Sequence, residues 1–355
     1  MATSDPIADL LDRYGDYEIA GRETASGNGI SGWQCENPFA QRLIQSVLRA
    51  ASKIDHIAYS YIEDDDTLQT QILNFHDSAE RYQPQSVFPA AGSNSLLFSF
   101  VAHLKALDVH EVYYLPPMYF TLFHALRLFG IRARPISSFH AFEATFQMNL
   151  PDRKTYLLLS DPIWYAGVQV PTAVLAEISA WQEKTGSLVF VDGTFQLMPW
   201  GKTLCEGTVR LTPDSTFRVI SPTKSLAIHG YRFAYLLLPK RYRQRFANVH
   251  GSIYSSSVAE NNLFAREALK AVSARTITNS LISLAQARYH LMVKKGLIGH
   301  RIDPQCGYFV FAEPKPVIAA FPNLLDGNYF GQGRFPTYVR INLLSPKLSP
   351  LIGND

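Results

Sequence analysis

Phe217-Arg218-Val219-Ile220-Ser221-Pro222-Thr223-Lys224 runs from an apolar strand pattern into two hydroxyls and a lysine. Gly230-Tyr231-Arg232 follows, and then a second apolar run, Ala234–Leu238. A strand that ends on Ser221 leaves Lys224 at the rim of a sheet, where an amine can form a Schiff base with a carbonyl cofactor. The hydroxyls of Ser221 and Thr223 can donate to a phosphate, and Arg232 can hold the same group with two parallel hydrogen bonds. Taken alone, a surface lysine in a loop looks the same.

Short apolar runs alternate with helical patterns on either side of this stretch. Strands are expected at Val87–Ala90, Val112–Leu115, Tyr156–Ser160, Leu188–Asp192, Phe217–Ser221 and Ala234–Leu238. Helices are expected at Ser95–Leu107, Tyr119–Phe129 and Ala173–Thr185, preceded by amphipathic patterns at Ala40–Ala51 and Leu68–His76. Apolar strands separated by helices predict an α/β fold with a mainly parallel sheet covered on both faces. Residues 253–297 read as helical, and strands at Tyr308–Phe311 and Tyr338–Leu344 follow. The division expected is an N-terminal segment 1–45 joining the small domain, a large domain 46–260 and a smaller α+β domain 261–355.

Ligands of open α/β sheets bind at the carboxyl ends of strands, and polar residues gather there. Gly92-Ser93-Asn94 precedes a helix whose free N–H groups suit an anion; a plain capped helix start is the alternative. Asp192 ends an apolar strand and suits a pyridinium nitrogen, or simply a turn. Tyr119 can stack on a flat ring or sit in the core. Arg340, inside the apolar run Tyr338-Val339-Arg340-Ile341-Asn342, needs a partner if buried. A substrate carboxylate or an internal ion pair would serve.

In their order along the chain these residues resemble fold-type I enzymes dependent on pyridoxal 5′-phosphate (PLP), of the class I/II aminotransferase family. The resemblance covers Trp33 to Leu344, and the lysine motif is its most specific part. Gln34-Cys35-Glu36-Asn37-Pro38-Phe39 is similar to a segment of histidinol-phosphate aminotransferase-like members. The resemblance implies a large PLP-binding domain, Lys224 as the Schiff-base lysine, and a phosphate site from Gly92, Ser93, Asn94, Ser221, Thr223 and Arg232. It implies Tyr119 as the stacking ring, Asp192 as the acid on the ring nitrogen, and Arg340 with Asn37 on the substrate. Tyr61 would reach the phosphate of the neighbouring subunit in a homodimer. An amino acid substrate and a 2-oxo acid acceptor follow. The same residues also fit a decarboxylase, lyase or oxidase of an amino acid, or a non-catalytic binding protein of this fold.

Two positions depart from the family pattern. Asp161-Pro162-Ile163-Trp164-Tyr165-Ala166-Gly167 carries Trp164 where an asparagine would donate to the cofactor's 3′-oxygen. Phe195 stands three residues after Asp192, where a tyrosine is usual. Loss of both donors raises the pKa of the Schiff base, because the phenolate oxygen then leans on the iminium proton. The Trp164 indole or Tyr165 are the substitutes at hand.

Other classes find little support. With 33 basic and 30 acidic residues the formal charge is only +3, so no nucleic-acid partner is expected. No apolar run is long enough to span a bilayer, and no signal-peptide core opens the chain. Cys35, Cys205 and Cys306 are odd in number and widely spaced. That pattern predicts reduced thiols in a cytoplasmic protein and no zinc site. Gly27-Asn28-Gly29-Ile30-Ser31-Gly32 spells a dinucleotide fingerprint, but it follows no expected strand and reads as a loop.

Overall fold

The computed structural model describes residues 29–54, 57–76, 82–138, 142–143, 145–201 and 211–353, together with Asp12. Gly27 and Asn28 of the glycine-rich segment lie outside the described residues; Gly29–Ser31 form a turn that opens no helix.

The large sheet contains β1 (Val87–Ala90), β2 (Glu111–Tyr114), β3 (Arg132–Pro135), β4 (Tyr156–Ser160), β5 (Leu188–Asp192), β6 (Thr216–Ile220) and β7 (Ala234–Leu237). Their spatial order is β1-β7-β6-β5-β4-β2-β3. β2 to β6 and β3 pair in parallel; β7 is antiparallel to both β1 and β6. The central strands β5 and β6 are buried along their whole length. That is why they read as unbroken apolar runs rather than alternating ones. Helices 93–106, 120–128 and 172–185 are those expected, each within about two residues at either end.

The sheet register places the site. Ala90 at the end of β1 pairs with Ala234, and Ile220 at the end of β6 pairs with Tyr235. The start of β7 therefore draws the carboxyl ends of β1 and β6 to one edge. Ser160 pairs with Asp192, and Asp192 with Val219, so β4, β5 and β6 also finish there. A smaller antiparallel sheet, ordered β10-β9-β8, comprises β8 (Ile298–Ile302), β9 (Phe309–Pro314) and β10 (Val339–Asn342). Helices 259–268 and 271–294 precede it.

Residues 30–36 lie along β10 as a strap. The Ile30 carbonyl accepts from Asn342 N at 2.7 Å, the Asn342 amide donates to the Gly32 and Gln34 carbonyls, and Glu36 N donates to the Leu344 carbonyl at 2.7 Å. Buried Arg288 completes the seam: it donates to the carbonyls of Leu343 and Ser345, to Ser349 Oγ, and to the Glu36 carboxylate.

The cysteine reading needs correction. Cys306 is disulfide-bonded, whereas Cys35 is free; Cys205 lies outside the described residues. Spacing hid the bond because chain separation says nothing about spatial approach. Cys306 sits in a segment pinned between two loops, with Gly307 N donating to Met198 O and Cys306 N to Gly167 O. Among the described residues no helix is long and apolar enough to cross a membrane, and no cluster of metal-ligating side chains occurs.

Candidate active site

Lys224 projects from a single helical turn, Pro222–Ser225, that follows β6 directly. Pro222 suits the first helical position because its missing N–H is not needed there. The turn presents the lysine to a cavity of about 150 Å³ at the carboxyl edge of the sheet. Asp192 and Thr194 come to it from the end of β5, Ser93 and Asn94 from the start of helix 93–106. Tyr119, Trp164, Phe195 and Trp33 supply rings, and Arg232 closes one corner.

The corner at Arg232 has the form of an anion cradle. Gly92 takes φ +93°, and a Cβ built on it would lie 3.1 Å from Arg232 Nη2. Only glycine leaves the guanidinium room to cross the helix N-terminus, where backbone N–H groups and the helix dipole favour negative charge. Ser221 Oγ and Thr223 Oγ1 lie 2.9 Å apart and both reach the Phe233 carbonyl, in the chain segment that carries Arg232. A guanidinium and a helix start thus meet at this corner, whereas Ser221 and Thr223 are buried and do not line the cavity.

Across the cavity Asp192 is buried, and burial pushes its pKa up, opposed by Thr194 and Lys224. Thr194 donates through both its N–H and its hydroxyl to Oδ1, which leaves Oδ2 for another donor. The Tyr119 and Trp164 rings meet edge to face at 5.2 Å. Asp161 does not line the cavity: its Oδ1 accepts from Val170 N at 2.9 Å and so shapes the loop that carries Trp164. Burial, then repulsion from Arg232, lowers the Lys224 pKa to about 7. Its amine is therefore available as a nucleophile near neutrality. These side chains fit PLP: cradle for phosphate, carboxylate for ring nitrogen, amine for aldehyde.

A model of the family described as aminotransferase class I and II matches residues 35–347.

The chain belongs to the aminotransferase class I and II family.

As a member of that family it resembles a probable aspartate/prephenate aminotransferase of Aquifex aeolicus (strain VF5), at 22% identity over 267 residues. The match takes in 70% of this chain and 64% of that relative, a little under two thirds of its length. Solved structures share the fold. N-succinyldiaminopimelate aminotransferase from Mycobacterium tuberculosis superposes with a TM-score of 0.79 at 14% identity, covering 99% of this chain and 98% of that one. A double mutant of Thermus thermophilus aspartate aminotransferase gives 0.77 at 16% identity, covering 99% and 96%.

Other residues singled out in the sequence lie differently. Asn37 uses both ends of its amide locally: it donates to the Leu226 carbonyl and accepts from Phe39 N and Ala40 N, just ahead of helix 41–51. Tyr61 is exposed, away from the cavity, with its ring 6.2 Å from Tyr59. Arg340 is buried in β10, and its guanidinium donates to the Ser31 carbonyl. Phe195 and Trp164 both line the cavity.

Sequence reasoning gave no site role to Trp33, Thr194 or Cys35, and read His229 as a turn residue that could also support Lys224. Trp33 lies over Lys224, with Nζ 3.5 Å from the ring centroid. Cys35 Sγ is 3.9 Å from His229 Nε2; burial raises the thiol pKa and lowers the imidazole to about 3, so both stay neutral. The one available hint was an indole in an otherwise polar, glycine-rich segment.

Proposed function

We propose that the protein is a PLP-dependent aminotransferase acting through Lys224. One arrangement carries the reading: a lysine with a depressed pKa faces a buried carboxylate, beside a phosphate-shaped cradle at a sheet edge. When bound, PLP supplies an aldehyde for the amine and a ring that withdraws electrons from the bond to be broken.

The chain's own groups have distinct tasks. Ser93, Asn94, Ser221, Thr223 and Arg232 hold the phosphate with the backbone at Gly92. Asp192 keeps a proton on the ring nitrogen, and Tyr119 stacks on the ring. Arg340 takes the α-carboxylate of the amino acid. The freed Lys224 amine then moves a proton, as a general base with a pKa near neutrality should. Asn37 stays assigned to the substrate side through its place beside the Lys224 turn. Trp164 stands at the cavity in place of the family's 3′-oxygen donor. That substitution keeps a second reading alive: decarboxylation, elimination or oxidation of the same bound amino acid.

We further propose that the active form is a homodimer, in which Tyr61 reaches the phosphate of the second copy. Ile57 and Tyr59 are 97% and 78% exposed, and exposed Val258 follows Ser257, which bridges Ser60. A hollow of about 390 Å³ there includes Asn94, which also lines the Lys224 cavity. Single exposed apolar residues are ordinary, but a contiguous group beside a site favours an interface. The proposed division, 46–260 and 261–355 with the leading segment on the latter, separates the two sheets. The histidinol-phosphate-like subtype rests on residues 34–39 alone.

Borohydride reduction followed by mass spectrometry tests the assignment. Wild-type protein incubated with PLP should gain one reduced pyridoxyl phosphate on the peptide containing Lys224, and Lys224→Ala none. Modification elsewhere, or none in wild type, would refute it. Product formation from amino acids with and without a 2-oxo acid separates transamination, which needs the acceptor, from the alternatives.

A further inference from the structure

Arg340 does not face open space. Its Nε and Nη2 both donate to the Ser31 carbonyl, at 2.9 and 2.5 Å. Three rings close around the guanidinium carbon: Phe309 at 4.7 Å, Trp33 at 5.0 Å and Phe330 at 5.7 Å. Trp33 is also the ring beneath Lys224 Nζ. One indole therefore stands against both cations, and their separation cannot exceed those two contact distances end to end. An amino acid must bring its nitrogen to the lysine and its carboxylate to the arginine, with a single Cα between them. Its backbone and the indole claim the same space.

We propose that Trp33 is a side-chain gate, which every amino acid must displace from between Lys224 and Arg340 and which thereby selects among substrates. This rests on the assignment of Arg340 to the substrate carboxylate.

The moving part is the side chain. The backbone on either side is tied down: Ser31 Oγ donates to the Arg340 carbonyl, Leu325 N donates to Ser31 Oγ, and Asn342 holds Ile30, Gly32 and Gln34. Trp33 itself is only partly buried, so the indole has a path outward by rotation about its own side-chain bonds. Leaving forfeits the cation–π contact with Arg340, a stacked contact with Phe195 at 5.9 Å and an edge contact with Phe309 at 5.2 Å.

That loss falls on every ligand equally, and it shifts the competition toward ligands that replace what is lost. A side chain bearing a ring can cover the vacated faces of Phe195 and Phe309. A small one leaves them bare. The gate thus favours ring-bearing amino acids and penalises small ones.

Titration calorimetry with two unreactive carboxylates, propanoate and 3-phenylpropanoate, tests this on PLP-loaded wild type, Trp33→Ala and Trp33→Phe. Propanoate should bind Trp33→Ala roughly two- to thirty-fold more tightly than wild type, the span that a lost cation–π contact represents. The preference for 3-phenylpropanoate should narrow accordingly. Trp33→Phe, which keeps a ring in place and controls for folding, should fall between. Indole emission of wild type should change on ligand addition, and the change should shrink in Trp33→Phe, with the remainder coming from Trp164 at the same cavity. Equal or weaker propanoate binding by Trp33→Ala at an undiminished melting temperature overturns the gate. So does an emission change undiminished in Trp33→Phe. Failure to take up PLP would strike the functional assignment instead, and the same titrations on the cofactor-free chain would still decide the gate.

Discussion

Lys224 carries a proton balance that can be measured without any substrate. Burial, reinforced by Arg232 and Arg340, lowers its pKa to about 7, whereas the unfolded chain keeps the ordinary lysine value of about 10.4. Between pH 7 and 10 the unfolded chain binds more protons, so the cofactor-free protein gains stability as pH rises through that window. Below pH 7 the full cost of burying the ammonium applies. Lys224→Met should therefore stabilise the cofactor-free protein most at pH 6, by about 2 kcal/mol or more, since each pKa unit is worth about 1.4 kcal/mol. The gain should shrink toward pH 10 in thermal melts; an equal gain at both pH values would contradict the account. Asp192→Asn keeps the shape of the side chain but removes its charge. Steady-state turnover should fall about 100-fold or more, with PLP uptake retained, if the charge stabilises the electron-rich ring.

Among the elements, the turn at Gly92 is the most exacting. Its positive φ strains any other residue, and a Cβ 3.1 Å from the Arg232 guanidinium would push that side chain aside. Gly92→Ala should weaken PLP binding at least ten-fold, read by equilibrium dialysis, and lower stability by about 1 kcal/mol from the strained backbone alone. Element reading from sequence succeeded where burial on both faces leaves a simple signature: β1, β4 and β5 are the expected strands residue for residue. It missed β3, Arg132-Ala133-Arg134-Pro135, which is an edge strand with mostly exposed side chains. Edge strands are kept polar and carry proline, so they lack the apolar signal. It also missed β8, Ile298–Ile302, where Gly299, His300 and Arg301 interrupt the pattern just after a long helix.

For the whole molecule, the proposed homodimer would use the exposed residues Ile57, Tyr59, Tyr61 and Val258. Val258→Asp should shift the protein toward monomer in analytical ultracentrifugation and weaken PLP retention, because the second copy would then no longer cover the phosphate corner. A monomeric wild type that retains PLP would refute the shared site. At this scale the seam between the strap and β10 also matters. Glu36→Ala should cost about 1–3 kcal/mol in denaturant unfolding, because buried Arg288 loses its one carboxylate partner while keeping its carbonyls.

The sequence by itself determined the alternation of strands and helices, the lysine turn after β6 and the acid after β5. Each of these is written in neighbouring residues, as local apolar pattern and local turn chemistry. It also nominated residues for a phosphate corner, because each lies next to a strand end. Only the tertiary structure decided that Trp33 packs against both Lys224 and Arg340, that Asn37 is engaged by its own chain, and that Cys306 is bonded. The Trp33 and Asn37 outcomes depend on contacts between residues about 190 to 310 positions apart. Such contacts are set by packing of the strap and the small sheet onto the large one, and no local pattern encodes them.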